Sequence, residues 1–369
     1  MRCLLVLSVC LPSLLLAGCG SGGGGGQSNA PFGPELVQGS YRFVSLENRS
    51  SNDRAATATG TMTRMGDGLQ LSNVWRAHDG VVTPPDGVTV QLPFSVEANR
   101  RFALGFVEGY AGRITVDGML ATAVSTTNLH NSSIMILIRQ QANPQLVSLA
   151  GDWQFLAYGL ANDPSYTTIN IVGDATINAA GLVSYDNVTF NLDGDINPLL
   201  QVALDEQLAL EPDGQLALNS AGTITMRGGV SEDGNVILMA GNLNNGVPRI
   251  WVLVRKGTAV PTDFAGQYHL TAVDFSAETP VAQWGSLSRP VGTGDIAIEQ
   301  FYRVANGVQG PVSRSFASGV LGDGQLTLVG PQPQFSYIFR GAVAAGGAYA
   351  FMAGGITDQS SRTFSVFVR

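Results

Sequence analysis

Three apolar runs, each ending in arginine, place the strongest constraint on what this chain can fold into. They read IMILIR at residues 134–139, IWVLVR at 250–255 and FSVFVR at 364–369. Each closes a segment that opens on a glycine two residues before an aromatic residue: GSYRF, GDWQF and GQYHL, whose opening glycines lie 112 and 115 residues apart. Repetition on this scale indicates three copies of one structural unit rather than a single large domain.

Further landmarks keep the same order and spacing within each copy. A glycine, a β-branched residue two positions later and a second glycine recur as Gly112, Ile114 and Gly118, as Gly228, Val230 and Gly234, and as Gly341, Val343 and Gly347. Asp117 and Asp233 precede the second glycine in two copies, and Asp-Gly between apolar runs is typical of a hairpin. We therefore predict repeats at residues 36–141, 146–257 and 260–369.

The period of two within each copy predicts strands. In VTVQLPFSVE, residues 88–97, we expect Val88, Val90, Leu92, Phe94 and Val96 on one face. The first copy divides into eight such runs, with starts near residues 41, 56, 69, 88, 102, 112, 120 and 134. The sequence thus predicts an all-β chain of three tandem antiparallel repeats of about 110 residues, each an up-and-down (meander) β-barrel. A six-bladed propeller would need each copy to divide into two like halves, and no half-repeat is visible.

The aromatic residue near the start of each unit and the arginine at its end resemble the structural signature of the calycin group, which includes the lipocalins. In that group the arginine packs across the first-strand aromatic ring and bonds backbone carbonyls at the closed end of the barrel. The resemblance implies that Tyr41 meets Arg139, Trp153 meets Arg255 and Tyr268 meets Arg369. The alternative is that each arginine is a solvated strand end.

The N-terminus reads as a targeting segment. Arg2 precedes an apolar stretch that ends in LAGC at residues 16–19, too short to span a membrane. This stretch resembles the bacterial lipobox, which implies a lipoprotein signal peptide at residues 1–18, cleavage before Cys19 and acylation of Cys19 by chains such as palmitate. Gly20, by resemblance to Gram-negative sorting, favours an outer-membrane lipoprotein facing the periplasm or the cell surface.

Residues 19–35 are predicted to be the acylated cysteine followed by a flexible glycine-rich linker. The remaining cysteines, Cys3 and Cys10, lie in the signal segment, so we expect no disulfide in the mature fold. The formal net charge is −8, and it becomes −9 once Arg2 is removed, which argues against nucleic acid as a partner. The predicted partners are the membrane, through the acyl chains, and a protein or small molecule whose identity the sequence leaves open.

Motifs that carry chemistry are scarce. His78, His130 and His269 stand at no metal-ligand spacing, and no nucleophile elbow or phosphate-binding loop is present. The best metal candidate is Asp193, Asp195 and Asn197, although Pro198 and Leu204 replace the glycine and glutamate of a calcium loop. No catalytic residue and no cofactor is predicted. Trp75, Trp284, Phe301 and Tyr302 fall outside the repeat landmarks and are expected either in a core or on a contact surface.

These observations favour a lipid-anchored bacterial cell-envelope protein that acts as a non-enzymatic binding or structural module. The first alternative is a calycin-like carrier of small apolar ligands inside the barrels. The second is an envelope hydrolase with a site between domains, which a cleft that gathers carboxylates from two units would favour.

Overall fold

The protein is described here from a computed structural model, which covers residues 34–49, 55–78, 81–105, 109–125, 131–160, 168–192, 195–242, 247–257, 264–274, 281–289, 295–304, 308–309, 314–320, 323–329, 338–354 and 363–369. All of them belong to one compact unit, Pro31–Arg369. The described residues form β-strands and three short 3-10 helices, η1 (Pro34–Leu36), η2 (Leu146–Leu149) and η3 (Ala345–Gly347). No helix in these ranges has the length and apolar character needed to cross a membrane.

The first barrel is an antiparallel ring in the order β1-β2-β3-β5-β6-β7-β8-β9, closed by the pairing of β9 with β1. The short β4 extends β3 outside the ring. Its strands are β1 (Ser40–Arg49), β2 (Ala56–Met65), β3 (Gly68–His78), β4 (Val81–Thr83), β5 (Val90–Val96), β6 (Arg101–Leu104), β7 (Tyr110–Ile114), β8 (Leu120–Ser125) and β9 (Asn131–Arg139). The eight predicted runs begin within three residues of the eight ring strands.

The second barrel closes through eight consecutive strands, β10 to β17. They are β10 (Gly151–Leu160), β11 (Thr168–Ile177), β12 (Leu182–Leu192), β13 (Asp195–Leu210), β14 (Leu216–Ser220), β15 (Thr223–Val230), β16 (Val236–Asn242) and β17 (Pro248–Arg255).

The third barrel repeats the ring of the first, in the order β18-β19-β20-β22-β23-β24-β25-β26, with β26 paired to β18 and β21 paired to β20. Its strands are β18 (Gly266–Asp274), β19 (Val281–Arg289), β20 (Asp295–Val304), β21 (Val308–Gln309), β22 (Arg314–Val320), β23 (Gln325–Val329), β24 (Ile338–Val343), β25 (Tyr349–Ala353) and β26 (Thr363–Val368). The predicted all-β class of three antiparallel barrels is confirmed.

The three barrels share a central core that lies between them. The outward residues of the last strand of each barrel meet there: Ile134, Ile136 and Ile138 of β9, Ile250, Val252 and Val254 of β17, and Phe364, Val366 and Val368 of β26. The alternate residues of the same strands, such as Leu137 and Trp251, point into their own barrels. The residues before each arginine are therefore apolar on both faces of the strand, with the exception of the buried Ser365, because both faces are covered.

The barrels contact one another in a cyclic order. The first strand of each barrel packs against the late strands of the next: β1 against β15, β16 and β17, β10 against β24 and β25, and β18 against β7, β8 and β9. Each barrel thus uses the same two surfaces, one on its first strand and one on its late strands, so the repeat in the sequence becomes a closed ring of like contacts.

Candidate functional site

The register places each predicted aromatic–arginine pair at one end of its barrel. Tyr41 lies directly opposite Arg139, and Trp153 lies opposite Arg255. In the third barrel His269 pairs with Val368, so Tyr268 and Arg369 come next to each other one position further on. The structure thus brings the two members of each pair together at the end where the first strand begins.

In the second barrel the guanidinium of Arg255 lies over the indole of Trp153, 4.4 Å from the ring centroid. Its Nη2 donates to the carbonyl of Ser148 at 2.7 Å, its Nη1 to Ala150 at 3.2 Å and its Nε to Gly234 at 3.3 Å. Trp153 is fully buried, and its Nε1 donates to the carbonyl of Leu149 at 3.0 Å. Stacking and a fork of donors on carbonyls are what a planar guanidinium supplies and an ammonium does not.

The first and third barrels use tyrosine in place of tryptophan. The hydroxyls of Tyr41 and Tyr268 donate to Gly118 and Gly347, each at 2.7 Å. Arg369 donates to Gly346 at 2.9 Å and to Ala265 at 3.4 Å. Carbonyls at the turn and before the first strand are therefore recurrent acceptors at the barrel ends.

Arg139 differs from the other two arginines. Its Nη1 donates to the carbonyl of Asp117 at 3.1 Å, but its Nε pairs with the carboxylate of Glu232 in the second barrel. The backbone N–H of Glu232 also donates to the carbonyl of Arg139 at 2.8 Å. This arginine consequently joins two barrels as well as ending a strand.

The predicted Asp-Gly hairpins lie between β7 and β8 and between β15 and β16. In each, the aspartate accepts from a hydroxyl two residues earlier, Thr115 to Asp117 and Ser231 to Asp233. The glycine that follows has a positive φ, 69° at Gly118 and 73° at Gly234, so a glycine there relieves strain that other residues would carry. These turns supply the carbonyls of Asp117 and Gly234 to the arginines.

The residue after each first-strand aromatic faces the next barrel, and it differs in all three junctions. It is Arg42 at the first junction, Gln154 at the second and His269 at the third. Sequence analysis did not single out this position, although its neighbours were landmarks. The pattern that could have identified it is a polar residue that follows the aromatic residue and precedes a large apolar residue in all three first strands.

Arg42 fills the junction between the first and second barrels. It is only 1% exposed, and its side chain packs over Gly229, where an added Cβ would lie 3.0 Å from Arg42 Cγ. Its Nη1 donates to the amide oxygen of Gln215 at 3.0 Å, and the amide nitrogen of Gln215 donates to Glu211. Nearby, Arg227 pairs with Glu211 at 3.5 Å and stacks over Trp75 at 3.5 Å from the centroid. Trp75 thus lies at a contact surface between barrels.

His269 occupies the junction between the third and first barrels, beside two cations of the first barrel. Burial, and after it the charges of Arg113 and Arg100, together lower the pKa of His269 to about 4. Neutral imidazole is the form that this junction accommodates.

We expect acid to weaken this junction. Because the unfolded chain binds a proton at His269 near pH 6.5 and the folded chain only near pH 4, the histidine's contribution to stability is complete above about pH 6.5 and is lost as the pH falls toward 4. Replacing His269 with glutamine, the residue at the equivalent position of the second barrel, should flatten the pH dependence over this range. Urea unfolding of residues 31–369 at pH 7 and pH 5 measures the change in the free energy of unfolding between the two pH values. An equal change in the parent chain and in the glutamine variant would contradict the assignment.

The junction between the second and third barrels contains a cavity of about 280 Å³, lined by Gln154, Asp174, Asn187, Asp323, Gln325 and Arg340 among others. Lys256 Nζ lies 2.7 Å from Asp174 Oδ1 in the second barrel and 4.0 Å from Asp323 Oδ2 in the third. Gln154 Nε2 donates to the carbonyl of Asp323 at 3.1 Å. This is the one lysine of the chain, and it bridges two barrels.

A cleft with carboxylates from two units is the feature that would favour an enzyme, and the partners of Asp174 and Asp323 show how these carboxylates are held. Both oxygens of Asp174 are engaged, one by Lys256 and the other by Asn187 Nδ2 at 3.0 Å. Asp323 Oδ1 accepts from the backbone N–H of Gln325 at 3.1 Å. Carboxylates held in this way connect the barrels, and neither is placed as an unengaged acid or base.

The interior of the second barrel holds a buried polar group that sequence reasoning missed. Tyr185 donates to Glu206 at 2.5 Å, and both are 2% exposed. Burial raises the pKa of the Glu206 carboxyl and lowers that of Arg249 to about 10, with each charge opposing the shift of the other. Because consecutive strand residues face opposite sides, one carboxylate of the neighbouring Asp205 and Glu206 must turn inward, but no local pattern specifies its partners on β12 and β17.

Several other predicted residues lie partly or wholly outside the described part of the chain. Asp195 and Asn197 lie in β13, but their side chains, Asp193, His130 and Cys19 lie outside what the structure describes. Trp284 pairs with Tyr302 across β19 and β20, and their side chains are likewise not described. Within the described ranges no group of three histidine, cysteine, aspartate or glutamate residues is arranged to hold a metal ion.

No protein-family model and no curated protein matches the chain. Among solved structures, the isotype 1 transferrin binding protein B of serogroup B Neisseria meningitidis aligns with 90% of this chain and 76% of its own, at 10% identity and a TM-score of 0.28. Mutants of transferrin binding protein B from Haemophilus parasuis Hp5 align with 89% of this chain and 74% of their own, at 8% and 9% identity and TM-scores of 0.23 and 0.25. TM-scores this low carry no inference about activity or partners.

Proposed function

We propose that this chain is a lipid-anchored protein of the bacterial cell envelope that acts as a non-enzymatic binding or structural module. The observation that carries the proposal is the central core, in which fully buried residues from all three barrels pack together. Such a core makes one rigid block of three barrels, which suits a presenting surface better than independent carriers on a string.

The barrel interiors support the same proposal over the carrier alternative. In the second barrel Phe155, Tyr185 and Trp251 lie in mutual ring contact, with centroids 4.9 to 5.7 Å apart, across the interior. In the first barrel Phe43, Met62 and Phe102 belong to one buried interior cluster. Barrels of eight strands are narrow enough for side chains to fill, and these described positions are large.

The absence of an enzymatic role is tested at the cleft between the second and third barrels. If the carboxylates there serve only to hold the barrels, chromogenic ester, amide and glycoside substrates should show no turnover that depends on them. Turnover by the full chain that Asp174→Asn or Asp323→Asn abolishes, while both variants stay folded, would overturn the proposal in favour of a hydrolase.

The lipid anchor yields a prediction with a matched control. Cys19→Ser removes the sulfur that the lipobox resemblance marks for acylation. Fatty-acid labelling and partition into detergent should therefore fall at least about tenfold, because stable anchoring needs two or more acyl chains. Cys10→Ser makes the same chemical change within the signal segment and should leave both unchanged. Equal labelling of the Cys19→Ser chain would contradict the anchor.

A further inference from the structure

The cleft between the second and third barrels is open because its residues differ from those that fill the equivalent junction between the first and second. Gln154 stands at the position of Arg42, so a shorter side chain enters the junction. Ala342, in the third barrel, stands at the position of Gly229. Its Cβ takes up space that, at the first junction, is left free by Gly229 and filled by Arg42. The second junction therefore keeps a cavity of about 280 Å³, whereas the groove beside Trp75 at the first junction offers about 20 Å³.

One arginine is retained at both junctions, but its partners are not. Arg227 and Arg340 each stand immediately before the glycine that opens the late-strand landmark. Arg227 pairs with Glu211 and stacks over Trp75. The chain has Leu321 at the position of Glu211, and it has Thr189 at the position of Trp75, two residues after the positive-φ asparagine of its strand.

Arg340 therefore lines the cavity without the acid and the ring that hold its counterpart. It is partly buried, and it has no ion-pair partner among the residues that the structure describes. Lys256 lies between Asp174 and Asp323, so one ammonium faces two carboxylates, and Arg340 brings the formal charge of the cleft to zero. Among the described residues, Arg340 is the charged side chain lining the cavity that has no ion-pair partner within 4 Å.

We propose that this cleft binds a small hydroxylated anion, with its carboxylate or phosphate on Arg340. A guanidinium fork matches the two oxygens of either group and gives them direction. The amides of Gln154, Asn187 and Gln325 line the same cavity, and an amide both donates and accepts, as a hydroxyl requires. The volume lies near the lower end of small-molecule sites, about 300–1,000 Å³, and suits one sugar ring.

The test is a titration of the full chain, purified in detergent, with galacturonate, glucose 6-phosphate and glucose, followed by calorimetry. We expect one of the two anions to bind at least about tenfold more tightly than glucose, and the stronger of them identifies whether the natural anion is a carboxylate or a phosphate. Arg340→Gln should reduce anion binding to the level of glucose. Arg101→Gln, which removes a half-exposed arginine paired with Glu97 in the first barrel, is the matched control and should change nothing.

A second variant keeps the test decisive if Arg340→Gln fails to fold. Gln154→Arg with Ala342→Gly rebuilds the residues of the filled junction, so it should abolish anion binding while the unfolding midpoint is maintained. The proposal is overturned if this double variant folds and still binds, if glucose binds as well as the anions, if Arg101→Gln loses as much as Arg340→Gln, or if no anion binds at about 10 mM.

Discussion

Val252→Asp is expected to destabilise all three barrels, not only the second. Val252 is fully buried on the outward face of β17, within the central core that residues of every barrel share. A carboxylate there has no partner, so it must either remain charged in an apolar site or take up a proton, and both cost free energy. We expect a loss of about 4 kcal/mol or more in the free energy of unfolding, a large part of the 5–15 kcal/mol typical of a domain.

Urea unfolding of residues 31–369, followed by tryptophan fluorescence and circular dichroism, measures this loss. Leu182→Asp is the matched control, because Leu182 is 47% exposed on the same barrel and should change stability by no more than about 0.5 kcal/mol. Limited proteolysis of the variant should release fragments of the first and third barrels as readily as of the second. Cleavage confined to the second barrel, or a loss no larger than that of Leu182→Asp, would mean that the barrels are independent.

Local features of the chain were predictable because strands and turns depend on neighbouring residues. Period-two alternation and Asp-Gly turns located the ring strands of the first barrel, and the three copies supported one another. Val88 and Val90 were predicted to share one face with Leu92, and burial begins only at Leu92, since Val88 and Val90 are 58% and 45% exposed. Val88 precedes β5 and Val90 begins it, so both lie at its exposed start.

The junctions between barrels were not predictable in the same way. Contact between β1 and β15, or between β10 and β24, joins residues more than a hundred positions apart, and no local pattern specifies it. One signal was nevertheless present. Apolar residues at successive positions of IMILIR and IWVLVR require burial on both strand faces, and a barrel wall that faces solvent would not supply it. The cleft depends on differences between copies, which a search for likeness passes over.

Arg255→Ala is expected to cause the second large loss of stability, because Arg255 stacks on the fully buried Trp153. The substitution removes the stacking and three hydrogen bonds to the carbonyls of Ser148, Ala150 and Gly234. The cation–π contact contributes about 1 kcal/mol, and bonds from a charged donor to carbonyls that water can partly reach add about as much again. We expect a loss of about 2 kcal/mol in the free energy of unfolding.

Two controls separate this role from that of a solvated strand end. Arg255→Lys keeps the charge but loses the planar fork, so its loss should be intermediate. Arg101→Ala removes an arginine whose side chain is 52% exposed and ion-paired on the surface, and it should cost at most about 1 kcal/mol. If Arg255→Ala unfolds at the same urea concentration as the parent chain, the guanidinium contributes nothing by capping Trp153. The apolar run before it would then be explained by the two buried faces of β17 alone.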